Sequence, residues 1–423
     1  MSWDLSQFDG KDVVFVGVGQ GRSMQGFKDF VTKHSNLKSF TGVDKQLGPE
    51  PLAFLRDYDA STTVFVKNEA IPPEEMPVPY ITTMNVFFAL AESLEAPTVG
   101  VTGTKGKSTT AALTTAMLRA GGHKVVLGGN IGEFGESIWA GLDHASKDTI
   151  FVIELSSYQL TDMTHSPHVA IIINLYKDHT DWHGSLDAYW QAKQHIVAFT
   201  KPEDLFIYSP DFPTLKQWAE AAPCRTIALD THEAIDISHA NLYGEHNRLN
   251  ALAARLIARE FKVSDKAAQQ ALDDFQPLPH RMELVAERQG HLFIDDAIGM
   301  TPESTAASLE AVASKYGQVG CLFLGGQDRD YDFRDLLALV AKYNIPNLVL
   351  FPDTIEKMKA GLPDGYKPVI FETKSMDEAV RWAAKHAPDK SVILLSTAAP
   401  SYSLWSGFPE KGDQFKAAAN KLS

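Results

Sequence analysis

The chain has 423 residues, a formal net charge of -14 and 44% apolar residues. This describes a globular protein that buries substantial cores in two or three domains. The acidic balance excludes nucleic acid and anionic membrane as main partners, because both select a basic face. An anionic small substrate, which needs only a locally positive pocket, stays allowed.

The start MSWDLSQFDG lacks the basic residues and apolar stretch of a signal peptide. No apolar run approaches the roughly 20 residues that cross a bilayer, so a soluble, cytoplasmic protein is expected. The first element, DVVFVGVG, is a strand followed by Gly17, Gly19 and Gly21. A strand running into G-x-G-x-G suggests a dinucleotide-type fold, and Asp44, just past the next strand end, suits a nucleoside hydroxyl. Apolar strand runs and helical patterns then alternate. TVFV, PTVGVTG, TIFVIEL and VAIIINL come first, and HLFIDDA, GCLFLGG, NLVLF, PVIFE and SVILLST follow. Continuous apolar runs of this kind read as buried parallel strands. The fold class is α/β, with Rossmann-like outer domains and a central parallel sheet. The stretches ESLEAP and PLPHR set expected boundaries, giving domains 1–92, 93–278 and 279–423. A Ser375-to-Glu378 capping box is expected to open the helix DEAVRWAAKHA. Cys224 and Cys321 have no metal spacing and are expected as small core residues.

Strand PTVGVTG enters Gly103-Thr104-Lys105-Gly106-Lys107-Ser108-Thr109 and then a helix that stops at Gly121-Gly122. Glycines let a backbone curl around phosphate oxygens, and the helix N-terminus adds N–H groups and partial positive charge. Lys107 would reach the terminal phosphates, and Ser108 or Thr109 would sit on Mg²⁺. Val101 stands where the full signature has its first glycine, so this is a shorter G-x-x-G-K-S loop. Downstream, Glu154 closes a buried strand, His179 follows another strand end, and Lys193 lies on the helix LDAYWQAKQHIVAF. By itself, Lys193 reads as a solvated helix lysine.

The segments TGTKGKST, GGNIG, ELSSYQL, NLYKDHTDWHG, AKQ, GEHNRLNALAA and LPHRME occur in order at fitting spacing. Together they resemble the Mur ligases, most of all the members that add glutamate, over about residues 95–423. The first 90 residues match only in general pattern. The resemblance implies an ATP-dependent, ADP-forming amide ligase of peptidoglycan precursor synthesis, acting on UDP-N-acetylmuramoyl-L-alanine through an acyl phosphate. It implies two Mg²⁺ ions on Ser108, Glu154, His179 and Lys193, the lysine carrying CO₂ as a carbamate. It places Asn247, Asn250, Arg281 and Asp296 around ATP, and Asn130, Ser156 and Gln159 along the nucleotide-sugar channel. The first domain, with Gly17, Gly19 and Asp44, would hold the uridine diphosphate. Arg329, Ser401 and Phe408 would bind the amino acid. Here the sequence departs from the usual N-D-S-K-A-T-N segment, with Ile298 for the lysine and Met300 for the threonine. The retained residues imply glutamate, of either hand. A folylpolyglutamate synthase-like enzyme, another amino-acid-adding Mur ligase and a non-catalytic nucleotide-binding protein are the alternatives. No protein partner is implied, and a monomer is expected.

Overall fold

The computed structural model describes residues 4–17, 22–47, 50–131, 135–240 and 242–422. Three sheets take their strands from successive stretches of chain. The first holds β1 (Asp12–Val16), β2 (Ser39–Val43), β3 (Thr63–Lys67) and β4 (Ile81–Thr82) in the order β2-β1-β3-β4, all parallel. The second holds β5 (Thr98–Thr102), β6 (Lys124–Gly129), β7 (Thr149–Glu154), β8 (Val169–Ile172), β9 (Leu205–Tyr208) and β10 (Arg225–Ala228). Its order is β10-β9-β8-β5-β7-β6, again all parallel. The third holds β11 (Glu283–Arg288), β12 (His291–Asp295), β13 (Val319–Gly325), β14 (Asn347–Phe351), β15 (Val369–Glu372) and β16 (Val392–Leu395). Its order is β11-β12-β16-β13-β14-β15.

The apolar runs became strands because a strand covered by helices on both faces must be apolar at every position. All residues of β5, β7, β8, β13, β14 and β16 are buried. One expectation is corrected in the third sheet. Edge strand β11 pairs antiparallel with β12 through a bulge near Leu284. A two-residue hairpin turn leaves the chain no room for a parallel crossover. The capping box at Ser375 forms only by half. Its hydroxyl accepts from Glu378 N (3.3 Å), but the Glu378 carboxylate accepts from Thr373 Oγ1 (2.8 Å) instead of returning to the cap. Cys321 is buried as expected, whereas Cys224 is only half-buried.

The chain divides into two compact units, Met1–Asp236 with Leu249–Asp273, and Ile237–Arg248 with Asp274–Ser423. The first unit contains the first two sheets, whose helices share one core. Trp139 packs on Phe27 and Phe30 at ring separations of 5.1 and 5.3 Å. A buried pair, Lys67 Nζ to Asp162 Oδ2 (2.7 Å), ties β3 to the segment after β7, and Tyr80 Oη adds a bond to the same carboxylate (3.0 Å). The second unit has its own core on both faces of the third sheet. Tyr243 belongs to that core and donates to Met282 O (2.8 Å).

Candidate active site

In the second sheet β5 lies between β7 and β8, so the loop after β5 is flanked by whatever follows those strands. Helix Lys107–Ala120 begins at Gly106, which has φ +83°. A Cβ there would meet Asn250 Oδ1 at 2.5 Å, so the position needs glycine on conformational and steric grounds. Asn174, just past β8, holds the loop. Its Oδ1 accepts from Thr104 N (2.8 Å) and Lys105 N (2.9 Å), and its Nδ2 donates to Lys105 O (3.0 Å). Thr104 is fixed further by Tyr176 N and Tyr189 Oη, which donate to its hydroxyl at 2.9 and 3.1 Å. Lys107 folds back over the loop and donates to the carbonyls of Gly103 and Thr104, both at 3.1 Å. Ser108 is buried in the first helical turn, Thr109 is half-buried, and Lys105 is exposed beside Asp178 (3.4 Å). Asn250 is buried and accepts from Thr110 Oγ1 (3.2 Å).

Besides Ser108 on the loop itself, three further residues are expected at the metal site. Glu154 is 2% exposed at the end of β7, and its Oε2 is buried with no hydrogen-bond partner. His179 sits at φ +49° and its Nδ1 pairs with Tyr158 Oη (2.9 Å). Burial, helped by the Lys107 and Lys193 charges against the pull of Asp178, keeps its pKa below the usual imidazole range. Lys193 is 1% exposed, so the solvated-lysine reading does not hold. Its Nζ donates to Gly103 O (3.0 Å) and more weakly to Thr102 Oγ1 (3.4 Å). Burial and the charge of Lys107 hold its amine well below the ordinary lysine range, with Asp178 and Glu154 opposing. An ammonium is costly to bury without a paired carboxylate. A neutral amine is what can take up CO₂. An orphaned buried carboxylate oxygen, a neutral imidazole and the Ser108 hydroxyl suit a hard divalent cation, so the residues present fit Mg²⁺.

The predicted nucleotide-sugar residues lie nearby or in the first sheet. Asn130 is exposed and donates to Glu154 Oε1 (3.4 Å). Ser156 and Gln159 are buried and spend their polar groups on each other in a capping box. Gly17 has φ +87°, and a Cβ there would come within 2.9 Å of Ile71 Cγ1. Asp44 is exposed just past β2. Gly19 lies outside the described residues.

In the second unit, the loops after β12, β13 and β16 meet at one edge of the sheet. Backbone bonds join them: Asp296 N to Leu395 O (2.8 Å), Gly325 N to Thr397 O (2.9 Å) and Gln327 N to Pro400 O (2.6 Å). The strand C-terminal ends of an open α/β sheet are where ligands bind. Asp296 is buried there, accepting from Ser308 Oγ (2.7 Å) and Ser396 Oγ (2.8 Å), and burial pushes its pKa up to about 7. Ile298 and Met300 are half-buried in the same turn. Ser401 is 6% exposed, and Phe408 opens helix Phe408–Asn420 at ring contact with His280 (6.1 Å). Arg329 is exposed. Of the acids around it, Asp328 pairs with Lys357 and Asp332 with Arg334. Asn247 is buried, donating to Tyr243 O (3.0 Å), and Arg281 is half-buried. Of the predicted ATP group, the loop residues and Asn250 thus belong to the first unit, while Asn247, Arg281 and Asp296 belong to the second.

Sequence reasoning missed Asn174. It stood in the quoted NLYKDH segment, directly after a strand facing the loop, and that position was its signal.

A phosphate loop on the central strand of a parallel sheet, with a carboxylate, an imidazole and a buried amine around it, defines a phosphate-loop α/β enzyme that handles a nucleoside triphosphate. Residues 101–251 match the Mur ligase middle domain, and residues 280–399 match the Mur ligase glutamate ligase domain. The UDP-N-acetylmuramoylalanine--D-glutamate ligase of Nitratidesulfovibrio vulgaris is 35% identical over 331 residues, 77% of this chain and 73% of that protein. The ligase of the same name from Bacillus cereus is 31% identical over 409 residues, 90% of this chain and 88% of that one. The chain therefore belongs to the Mur ligase family, whose members are ATP-dependent amide-forming ligases. Its fold is that of MurF ligase from Thermotoga maritima in complex with ADP, at TM-score 0.65, 14% identity and coverage of 98% and 96%. A folylpolyglutamate synthase from Mycobacterium tuberculosis shares the fold at TM-score 0.59 and 14% identity, covering 80% of this chain and 95% of that one. Among the described residues, no helix is long and apolar enough to cross a membrane.

Proposed function

We propose that this protein joins glutamate to UDP-N-acetylmuramoyl-L-alanine at the expense of ATP, as a cytoplasmic monomer. The names of its curated relatives support this reading. The observation that carries the chemistry is the buried Lys193 amine bonded to the phosphate loop, within electrostatic reach of the buried Glu154 carboxylate. The γ-phosphoryl group of ATP passes to the acceptor carboxylate, giving an acyl phosphate and ADP. The glutamate amine then attacks the acyl carbon, and phosphate leaves. Phosphoryl transfer asks the protein for positioning and charge neutralisation. Lys107 supplies charge at the terminal phosphates, while the loop amides fixed by Asn174 position them. Ser108, Glu154, His179 and Lys193, as its carbamate, would hold Mg²⁺, which offsets phosphate charge when bound. Residues 1–92 are assigned to the uridine nucleotide, with Gly17, Gly19 and Asp44, and Asn130, Ser156 and Gln159 line the sugar channel. Residues 93–278 carry the phosphate loop and Asn250, and Asn247, Arg281 and Asp296 are assigned to ATP by the family resemblance. Residues 279–423 take the amino acid through Arg329, Ser401 and Phe408, since Arg329 is exposed with a guanidinium fork suited to a carboxylate.

D-glutamate is the amino acid that the relatives' names support. Ile298 and Met300, at the same sheet edge as Ser401, are the reason to test L-glutamate beside it. The test is phosphate release with UDP-N-acetylmuramoyl-L-alanine and a panel of D- and L-amino acids. Release dependent on both nucleotide and glutamate is expected. Preference for lysine, diaminopimelate or a neutral amino acid would overturn the assignment.

A further inference from the structure

Lys411 is a buried cation that the mechanism above leaves unused. It lies in the first turn of helix Phe408–Asn420 and is 1% exposed. Its Nζ donates to Thr397 Oγ1 (2.6 Å) and to Ser401 Oγ (3.3 Å). Among the described residues, no carboxylate lies within ion-pair distance of it. A buried ammonium without a paired acid is costly, and burial lowers the pKa of this amine to about 7 with Asp295 and Asp296 opposing, so an arriving substrate carboxylate would favour its charged form. The hydroxyls around it indicate a role. Thr397 donates its own hydroxyl hydrogen to Ala399 O at 2.9 Å, the stronger of the two contacts to that carbonyl. The Ser401 hydroxyl is left with only a long contact to the same oxygen, at 3.4 Å. An N–H donated into Ser401 Oγ occupies one lone pair and polarises its O–H. The proton of Ser401 is thereby left with only that long contact. The bond from Gln327 N to Pro400 O links this loop to the one that carries Arg329.

We infer that Lys411 is a positioning residue of the amino-acid site: by donating into Ser401 Oγ it makes Ser401 an outward hydrogen-bond donor and places a buried positive charge behind the substrate carboxylate that Ser401 receives. This inference rests on the amino-acid assignment of Ser401 made above. It supplies a source of positive charge at an edge where Ile298 brings none.

The experiment measures KM for glutamate and for ATP in Ser401→Ala, Lys411→Met, Lys411→Gln and the Ser401→Ala/Lys411→Met double variant, each with a thermal melt. A hydrogen bond to a charged group contributes about 1.5–3 kcal/mol, so its loss corresponds to roughly 10- to 100-fold. Lys411→Met is expected to raise the glutamate KM by about that factor, with the ATP KM unchanged. The double variant should be no worse than the poorer single one, because both substitutions break one relay. Lys411→Gln, which keeps an N–H donor, should recover part of the loss. Should Lys411→Met fail to fold, Lys411→Gln carries the comparison. A raised glutamate KM in Ser401→Ala with wild-type values in the Lys411 variants would overturn the inference and leave the site assignment standing. Multiplying effects in the double variant would also overturn it. Unchanged glutamate kinetics in both Ser401→Ala and Lys411→Met would overturn the site assignment itself.

Discussion

Lys107 rests on the carbonyls of Gly103 and Thr104, a few ångströms from where its loop would curl about phosphate. Removing one such contact to developing charge costs about 10² or more in rate. Lys107→Ala is therefore expected to lose at least that factor in phosphate release while melting near the parent. Turnover near the parent's would remove the phosphate-loop assignment. Lys193→Ala should be nearly inactive for a different reason, the loss of carbamate oxygens. Added formate or acetate is expected to restore part of its activity, and absence of rescue together with full activity in the alanine variant would sink the carbamate. Asp296 makes a prediction about pH. Its pKa is near the usual carboxyl value when unfolded and about 7 when folded. Protonation thus favours the folded state: the contribution is fully present below the unfolded value and lost as pH rises through 7. Asp296→Asn, which cannot ionise, should gain stability relative to the parent as pH rises from about 4 to 8. Melting curves across that range that stay parallel would contradict it.

At the scale of elements, the loop geometry depends on the short segment following β8. Asn174 makes three bonds to Thr104 and Lys105, each contributing about 1 kcal/mol net. Asn174→Ala should raise the KM for ATP by about 10-fold or more, with glutamate KM little changed. Equal effects on both substrates would mean a general loss of fold instead. The same scale shows what the sequence disclosed. Fully buried strands such as β5, β7, β13 and β16 were legible because burial on both faces forces an apolar run. Strands β9 and β10 were not. The run LFIY of β9 is short and is passed over, and every residue of β10 is exposed at the sheet edge. Strand β11 buries only Ala286 and pairs antiparallel, so a search for continuous apolar runs passes over it. Short β4 has two residues and no pattern at all. Of the candidate site, the phosphate loop and the strand-end position of Glu154 were readable from motif and order. His179 and Lys193 needed family likeness, because a lone histidine reads as structural and burial of a helix lysine leaves no local mark. Lys411 stayed hidden for the same reason, its neighbours Thr397 and Ser401 coming from a different loop.

Across the whole molecule, the path of the chain matters as much as its sheets. The second unit takes residues 237–248 from a stretch flanked on both sides by the first unit. Tyr243 and Leu242 in that stretch are buried, and Tyr243 packs within the core of the second unit. A buried aromatic of this size contributes about 3–5 kcal/mol against alanine. A fragment of residues 274–423 should consequently be markedly less stable than the second unit of the full chain. Supplying a peptide of residues 237–248 in excess should raise its melting temperature. A fragment that melts with the parent's second unit and ignores the peptide would show that the inserted stretch is dispensable.

During synthesis the ribosome releases Tyr243 long before the strands that cover it. The last central strand of that sheet ends at Leu395. At about 5–20 residues per second, roughly 8–30 s separate the two. For that interval the nascent chain carries Leu242 and Tyr243 without the strands that cover them, next to the helical residues that complete the first unit. Chaperone capture is most valuable in this window, and slowing translation between these positions should increase aggregation of newly made protein more than slowing it elsewhere.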